Sequence, residues 1–340
     1  MPQFTRRSAL SLFGGLAAGP LLASCGVGGS SPSADGKTVR IAYQKFADST
    51  LLVKDQGTLE KALPGYRIQW TAFDSGASIN TAFLGRSLDL AVIGSSPTAQ
   101  ALCPPLAIPY RIIELLNVIG DSEALVARKE ITKVADLVGR KVAAPFSSTA
   151  HYSLLAALQQ AGVDPAKVTI VDLEPQNILA AWQRGDIDAA YVWTPTLSSI
   201  QKDGTTLIDS AQLAKAGKPT LTFTVASNEF IDANPQVITE WLKATDAALG
   251  QIAKDPGTVA DAVARQIGST REDALAQLKQ NIYLDHAQQR APEYFGSASA
   301  PGALADRLRD TAEFLRGQKK VDAVPALETF RSALRVPETA

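Results

Sequence analysis

From Lys37 onward the chain repeats one unit: a short apolar run, a polar loop, then a helix-like stretch. No feature narrows the possible folds more. Strand-like runs lie at 38–43, 66–73, 88–93, 111–119, 124–127, 141–144, 168–173 and 188–193. One of them, Leu88 to Ile93, apolar apart from Asp89 and without alternation, bears the mark of a strand covered on both faces. Helical stretches lie between them, for example Ser153 to Ala161, stopped by Gly162. Alternating strands and helices predict an α/β fold with largely parallel sheets. Beyond about Asn234 the pattern becomes helical. The 340 residues suffice for about two domains, and two similar runs of units meet near residue 125.

The loops after the strands are unusually rich in hydroxyls. Ile93-Gly-Ser-Ser-Pro97 follows one strand, Pro145-Phe-Ser-Ser-Thr-Ala-His151 another, and Asp74-Ser-Gly-Ala-Ser78 a third. A helix start exposes unpaired N–H groups and about half a positive charge, so neighbouring hydroxyls complete an anion site without a cationic side chain. In α/β sheets such starts sit beyond the carboxyl ends of the strands, where ligands lie. Ser75, Ser95, Ser96, Ser148 and Thr149 are the candidate donors. Each is equally a plain N-cap when taken singly; their recurrence at equivalent positions points to binding. His151 is open to two readings, core histidine or ligand contact. So is Trp193, core or cleft wall.

Other chemistries find little footing. There is no Gly-x-Ser-x-Gly elbow, P-loop, His-Glu-x-x-His or Cys-x-x-Cys, and Asp186 and Asp188 read as solvated acids entering a strand. Two histidines and two cysteines, widely spaced, predict no metal and no cofactor. The net charge is −1; removing residues 1–24, with two arginines and no acids, leaves −3, so no nucleic-acid partner is expected.

The N-terminus carries its own signal. Arg6-Arg7 precedes an apolar run to Leu22 that is too short to cross a bilayer, followed by Leu22-Ala-Ser-Cys25. Paired arginines match a twin-arginine export signal, and the last four residues resemble a bacterial lipobox, with Cys25 the lipidated residue. Residues 1–24 read as signal peptide and 25–37 as a Gly/Ser-rich tether.

Phe73-Asp-Ser-Gly-Ala-Ser-Ile79, Gly94-Ser-Ser-Pro97, Ser122-Glu-Ala-Leu-Val126, the 145–158 segment and the segment Ala180 to Pro195 together resemble the taurine-binding proteins of ABC importers. The resemblance implies a type II periplasmic-binding fold: two α/β lobes joined by two crossing strands, closing over a small sulfonate. It implies lobe 1 from 38–125, lobe 2 from 126–222 and the return to lobe 1 over 223–340, with crossings near 124–127 and 223–226. The expected partners are a taurine-like sulfonate and a membrane permease with a separate ATPase. The expected state is a monomer held outside the cell membrane by its lipid anchor, and not an enzyme. Closure would set Ser95 and Ser96 against Ser148 and Thr149, with Gln44 adding an amide donor. Charge-assisted hydrogen bonds contribute roughly 1.5–3 kcal/mol each. Four to six could offset the cost of association and leave about −8 kcal/mol, near micromolar affinity. The ammonium of taurine needs a carboxylate or aromatic face, for which Glu123, Asp74 and Trp193 are candidates. Here the chain departs from the family, with Thr222 where the taurine binders carry an acid. An amine-free alkanesulfonate is therefore a competing ligand. Nitrate, another oxyanion or a thiamine-precursor pyrimidine would fit the same fold, as would an enzyme of precursor synthesis.

Overall fold

A computed structural model describes residues 37–297 and 299–337. The signal segment and Cys25 lie outside the described residues. Among the described residues eleven strands run in chain order as β1 (Lys37–Tyr43), β2 (Tyr66–Ala72), β3 (Leu90–Gly94), β4 (Tyr110–Val118), β5 (Glu123–Ala127), β6 (Lys141–Ala144), β7 (Thr169–Asp172), β8 (Ala189–Trp193), β9 (Thr205–Asp209), β10 (Leu221–Ser227) and β11 (Ile282–Tyr283). They form two sheets, ordered β11-β4-β10-β3-β1-β2 and β7-β6-β8-β5-β9.

Both sheets are mixed. β1 pairs in parallel with β2 and β3, whereas β10 runs antiparallel to both β3 and β4. In the second sheet β6 is parallel to β7 and β8, and β5 is antiparallel to β8 and β9. The antiparallel strands are those next to each passage between sheets. A chain that leaves one sheet for the other and later returns must re-enter it in the reverse direction.

The passages fall a few residues from their expected places. Glu123–Ala127 is a full strand of the second sheet, bonded on both sides, and the chain crosses in residues 119–122. Phe223–Ala226 belongs to the middle of the first sheet, so the return crossing precedes Leu221. Apolar strands buried on both faces look alike whichever sheet they join.

Each sheet is covered on both sides, as β3 and β5 require: every residue of β5 is buried, and so are Leu90 to Ile93. One face of the first sheet packs Val39 and Ile41 against Leu51, Trp241 and Val263, from helices Ser49–Gln56, Pro235–Lys254 and Pro256–Ile267. Its other face packs Ile93, Leu115 and Phe223 against Leu308 and Leu315 of helix Leu304–Gly317. In the second sheet Leu125 and Tyr191 lie over Leu154 and Leu158 of helix Thr149–Gln160, and Val126 and Val192 over Trp182 of helix Pro175–Arg184. Burying a side chain of this size stabilises the fold by roughly 1.5–3 kcal/mol. Among the described residues, no helix is long and apolar enough to cross a membrane.

Candidate functional site

The sheet order lines up the wall of one cavity. Thr222, at the start of β10, sits level with Asn117 near the end of β4 on one side and with Gly94 at the end of β3 on the other. Gln44 follows the last residue of β1. In the second sheet Glu123 opens β5 opposite Trp193, the last residue of β8, and Ser148 and Thr149 lie in the turn leaving β6. These are strand ends facing each other from two sheets, the position open α/β sheets reserve for ligands. Between them lies a cavity of about 50 Å³. That is several times the roughly 10–15 Å³ one water needs, and so of a size for a small solute.

The two lobes touch around the cavity. Thr149 of the second sheet lies against Gly94 of the first, so tightly that a Cβ on Gly94 would fall 2.7 Å from Thr149 Cγ2. Ser75 Oγ donates to Glu174 Oε1 at 2.8 Å from one lobe to the other. The ring of Tyr152 meets Phe314 of the Leu304–Gly317 helix edge-on, with centroids 4.9 Å apart.

Of the residues expected at the site, Gln44, Glu123, Ser148, Thr149, Trp193 and Thr222 line the cavity. Asp74, Ser75, Ser95, Ser96 and His151 do not, and each has a local reason. Asp74 is exposed, and Ser75 is engaged with Glu174. Ser95 Oγ accepts the backbone N–H of Leu221 at 3.1 Å, tying helix Ser95–Ala101 to the start of β10. Ser96 is fully buried, its hydroxyl without a partner among the described residues. His151 stacks on Phe146 with ring centroids 4.5 Å apart, its Nδ1 accepting the Ser147 N–H at 3.3 Å. Burial lowers its pKa to about 4, with Lys320 adding to the effect, so it is neutral near pH 7.

The hydroxyls that do reach the cavity give their protons to the protein. Ser148 Oγ donates to the Pro145 carbonyl at 2.5 Å and caps the His151 N–H at 3.1 Å. Thr149 Oγ1 donates to Glu123 Oε2 at 2.5 Å. The expected opposition of free hydroxyls is therefore not what closure brings together. Amides of the first sheet stand in the wall instead. Asn117 is buried to 1% exposure, with neither its Nδ2 nor its Oδ1 hydrogen-bonded among the described residues. Leaving both groups unpaired costs about 1–3 kcal/mol each unless something fills the cavity. Gln44 lines the same cavity, one N–H spent on the Val92 carbonyl at 3.3 Å. At the crossing, Asn281 Oδ1 accepts from Gly120 N at 3.0 Å and Ser122 Oγ at 2.6 Å, pinning the link between sheets to the segment before β11.

Asn117, Ser122 and Asn281 were not expected from sequence. Asn117 did leave a trace, a lone amide interrupting Ile112-Ile-Glu-Leu-Leu-Asn-Val118 where an apolar strand would suffice. Asn281 left none; it arrives from the helical tail.

Glu123 is the one titratable side chain on the cavity wall among the described residues. Burial pushes its pKa up to about 7, against the opposing effect of hydroxyl bonds from Thr149, Ser210 and Ser153.

Comparison with known proteins agrees with this architecture. Residues 37–266 match the family model described as the substrate-binding domain of ABC-type glycine betaine transport systems. The taurine-binding periplasmic protein of Escherichia coli (strain K12) is 40% identical over 293 residues, 84% of this chain and 88% of that protein. Two solved structures share the fold. The alkanesulfonate-binding protein SsuA from Xanthomonas axonopodis pv. citri, bound to MOPS, has a TM-score of 0.73 at 22% identity, covering 88% of this chain and 98% of its own. The aliphatic sulphonate-binding protein SsuA of Escherichia coli has a TM-score of 0.69 at 24% identity, covering 86% and 96%. The chain thus belongs to the family of ABC-type substrate-binding domains that includes the taurine-binding periplasmic protein.

Proposed function

We propose that the protein is an extracytoplasmic solute-binding lipoprotein that captures taurine or a related small alkanesulfonate and delivers it to an ABC import permease driven by a separate ATPase. The observation that carries the reading is Asn117, a buried amide in the wall of the cavity between the lobes, both polar atoms unpartnered among the described residues. Such a group is built to meet a polar solute. No lysine or arginine lines the cavity among the described residues. A sulfonate is ionised at every physiological pH, so uncharged amide donors and the first N–H groups of helix Thr149–Gln160 suffice to hold it. The 40% identity to a taurine-binding protein supports the same ligand class.

Binding without turnover fits the side chains present. Cys103 lies buried beside its helix, donating to the Ala99 carbonyl at 3.2 Å, and burial pushes its thiol up to about 11. His151 is stacked away from the cavity wall. Neither is placed to attack a bound solute. The proposed protein is a monomer anchored to the membrane by lipid on Cys25.

Isothermal titration with taurine, ethanesulfonate, sulfate and nitrate tests the ligand. Micromolar binding of a sulfonate is expected, with sulfate and nitrate weaker. Heat with nitrate alone would overturn the reading.

A further inference from the structure

The hydrogen bonds around Glu123 run in one direction. Thr149 Oγ1 donates to its Oε2 at 2.5 Å; Ser210 Oγ and Ser153 Oγ donate to Oε1 at 2.9 and 3.3 Å. An ionised carboxylate only accepts, so it draws in all three hydroxyl protons. Thr149, which shares the cavity wall, is then left to present lone pairs to the solute. A protonated Glu123 has one O–H to give. Given to Thr149, it releases the Thr149 proton toward the cavity. The same two residues thus form an acceptor in one state and a donor in the other.

Resting on the sulfonate reading above, we infer that the Glu123–Thr149 pair is a subsite of reversible polarity that tells amino-sulfonates from amine-free sulfonates. The ionised pair receives an ammonium; the protonated pair donates to a sulfonate oxygen. Binding of the first ligand expels a proton from the protein, and binding of the second takes one up.

The surroundings leave both states open. The strand beside Glu123 offers Tyr191, whose hydroxyl lies 3.1 Å from Ser210 Oγ, and β9 offers Asp209, at the cap of the helix carrying Ser210. Helix Thr149–Gln160 carries His151, neutral and stacked on Phe146. The crossing before β5 carries Asp121, its own pKa raised by burial and by Asp209. From the first sheet the facing wall is Asn117, Thr222 and Gln44, none of which titrates. No cation among these groups pins Glu123 in its ionised form, and no second carboxylate on the wall competes for an ammonium. Burial brings the carboxyl to about 7, so either state is within reach near neutrality.

The test is calorimetric titration of the full chain with taurine and with ethanesulfonate at pH 6 and pH 8, each in two buffers of unlike ionisation enthalpy. A group titrating at about 7 is roughly a tenth ionised at pH 6 and nine-tenths at pH 8. Taurine, its amine charged throughout, should therefore bind about tenfold more tightly at pH 8, and ethanesulfonate about tenfold more weakly. Near pH 7 the buffer dependence should show proton release with taurine and proton uptake with ethanesulfonate. Glu123→Gln should flatten both trends and abolish the exchange. Should that variant fail to fold, the proton count of the unaltered protein decides alone. Parallel pH trends for the two ligands, or no proton exchange with either, overturn the inference while the sulfonate reading stands. Binding of neither ligand overturns that reading, and this inference with it.

Discussion

Ser75 Oγ lies 2.8 Å from Glu174 Oε1, a hydrogen bond between the loop after β2 in one lobe and the cap of helix Pro175–Arg184 in the other. The second oxygen of Glu174 is buried without a partner among the described residues, and burial raises the pKa of the group. The bond spans the cleft, so it exists only when the lobes are shut. Contacts of this kind convert ligand binding into a closed population, because a ligand shifts an equilibrium only by its differential interaction with the two states. Removing one should weaken binding without touching the solute. Ser75→Ala is expected to raise the taurine Kd about fivefold, equivalent to a net hydrogen bond of about 1 kcal/mol, and to lower the melting temperature by no more than the loss of one helix cap. An unchanged Kd would remove the contact from the closure balance.

Gly94 offers a steric test of closure. Its φ of −74° suits any residue, so alanine meets no backbone penalty there. The added methyl would sit 2.7 Å from Thr149 Cγ2 and 3.6 Å from Pro97 Cδ. The first contact forms only across the cleft. Gly94→Ala should thus cost at least tenfold in ligand affinity and shift small-angle scattering toward an open form with the sulfonate present. Thermal stability of the free protein should barely move. A closed, tightly binding variant would show that Thr149 yields.

How much of this was readable beforehand depends on what competes for each residue. Apolar runs such as Leu90 to Ile93 announce strands because nothing else buries four apolar side chains in a row on two faces. β9 is not legible in the sequence: Thr205-Thr-Leu-Ile-Asp209 is half exposed, an edge strand with little hydrophobic signature. At the site, Ser148 and Ser95 stand at equivalent helix starts in sequence. One lines the cavity, and the other is held by Leu221 N–H. A hydroxyl beside a helix can serve its own backbone, a neighbouring strand or a ligand, and only the third dimension chooses. Glu123 and Thr222 reached the wall because they begin strands whose register aligns them with it.

Buried titratable groups give the fold a pH dependence with a definite sign. Burial alone would lower the pKa of His286, but Glu114 Oε1 at 2.8 Å from its Nε2, with Asp246 beside it, holds it above the ordinary histidine value. Asp48, wholly buried, is pushed up to about 6, and Glu123 to about 7. Groups whose folded pKa is raised bind more protons folded than unfolded, so the stability they contribute is lost as pH rises through the folded value. His151, lowered to about 4, acts oppositely, but only below about 6.5, where an unfolded histidine titrates. Asp48 loses most of its contribution below pH 6, so from about pH 6.5 to pH 8 it is Glu123 and His286 that act, both in one direction. The melting temperature should fall steadily across that window, and His286→Gln should flatten part of the fall. A melting temperature that climbed from about pH 6.5 to 8 would contradict the assigned states.

Asn117 separates binding from stability most sharply. It sits in β4 between Thr222 of β10 and Tyr283 of β11, in a strand whose other buried residues, Glu114 apart, are apolar. Its amide makes no hydrogen bond in the protein among the described residues, so the free protein bears the desolvation cost that a bound solute would remove. Leucine is close to asparagine in size and asks for no partner. Asn117→Leu should therefore hold or raise the melting temperature of the free protein, by up to about 2 kcal/mol of stability. The same change should remove one or two hydrogen bonds to an anion, each worth roughly 1.5–3 kcal/mol, and weaken taurine binding by at least tenfold. Denaturant melts of the free protein paired with calorimetric titration measure both effects on one sample. If the variant lost stability and kept its affinity, the amide would be a structural group satisfied by enclosed water, and the solute would have to be held elsewhere on the wall.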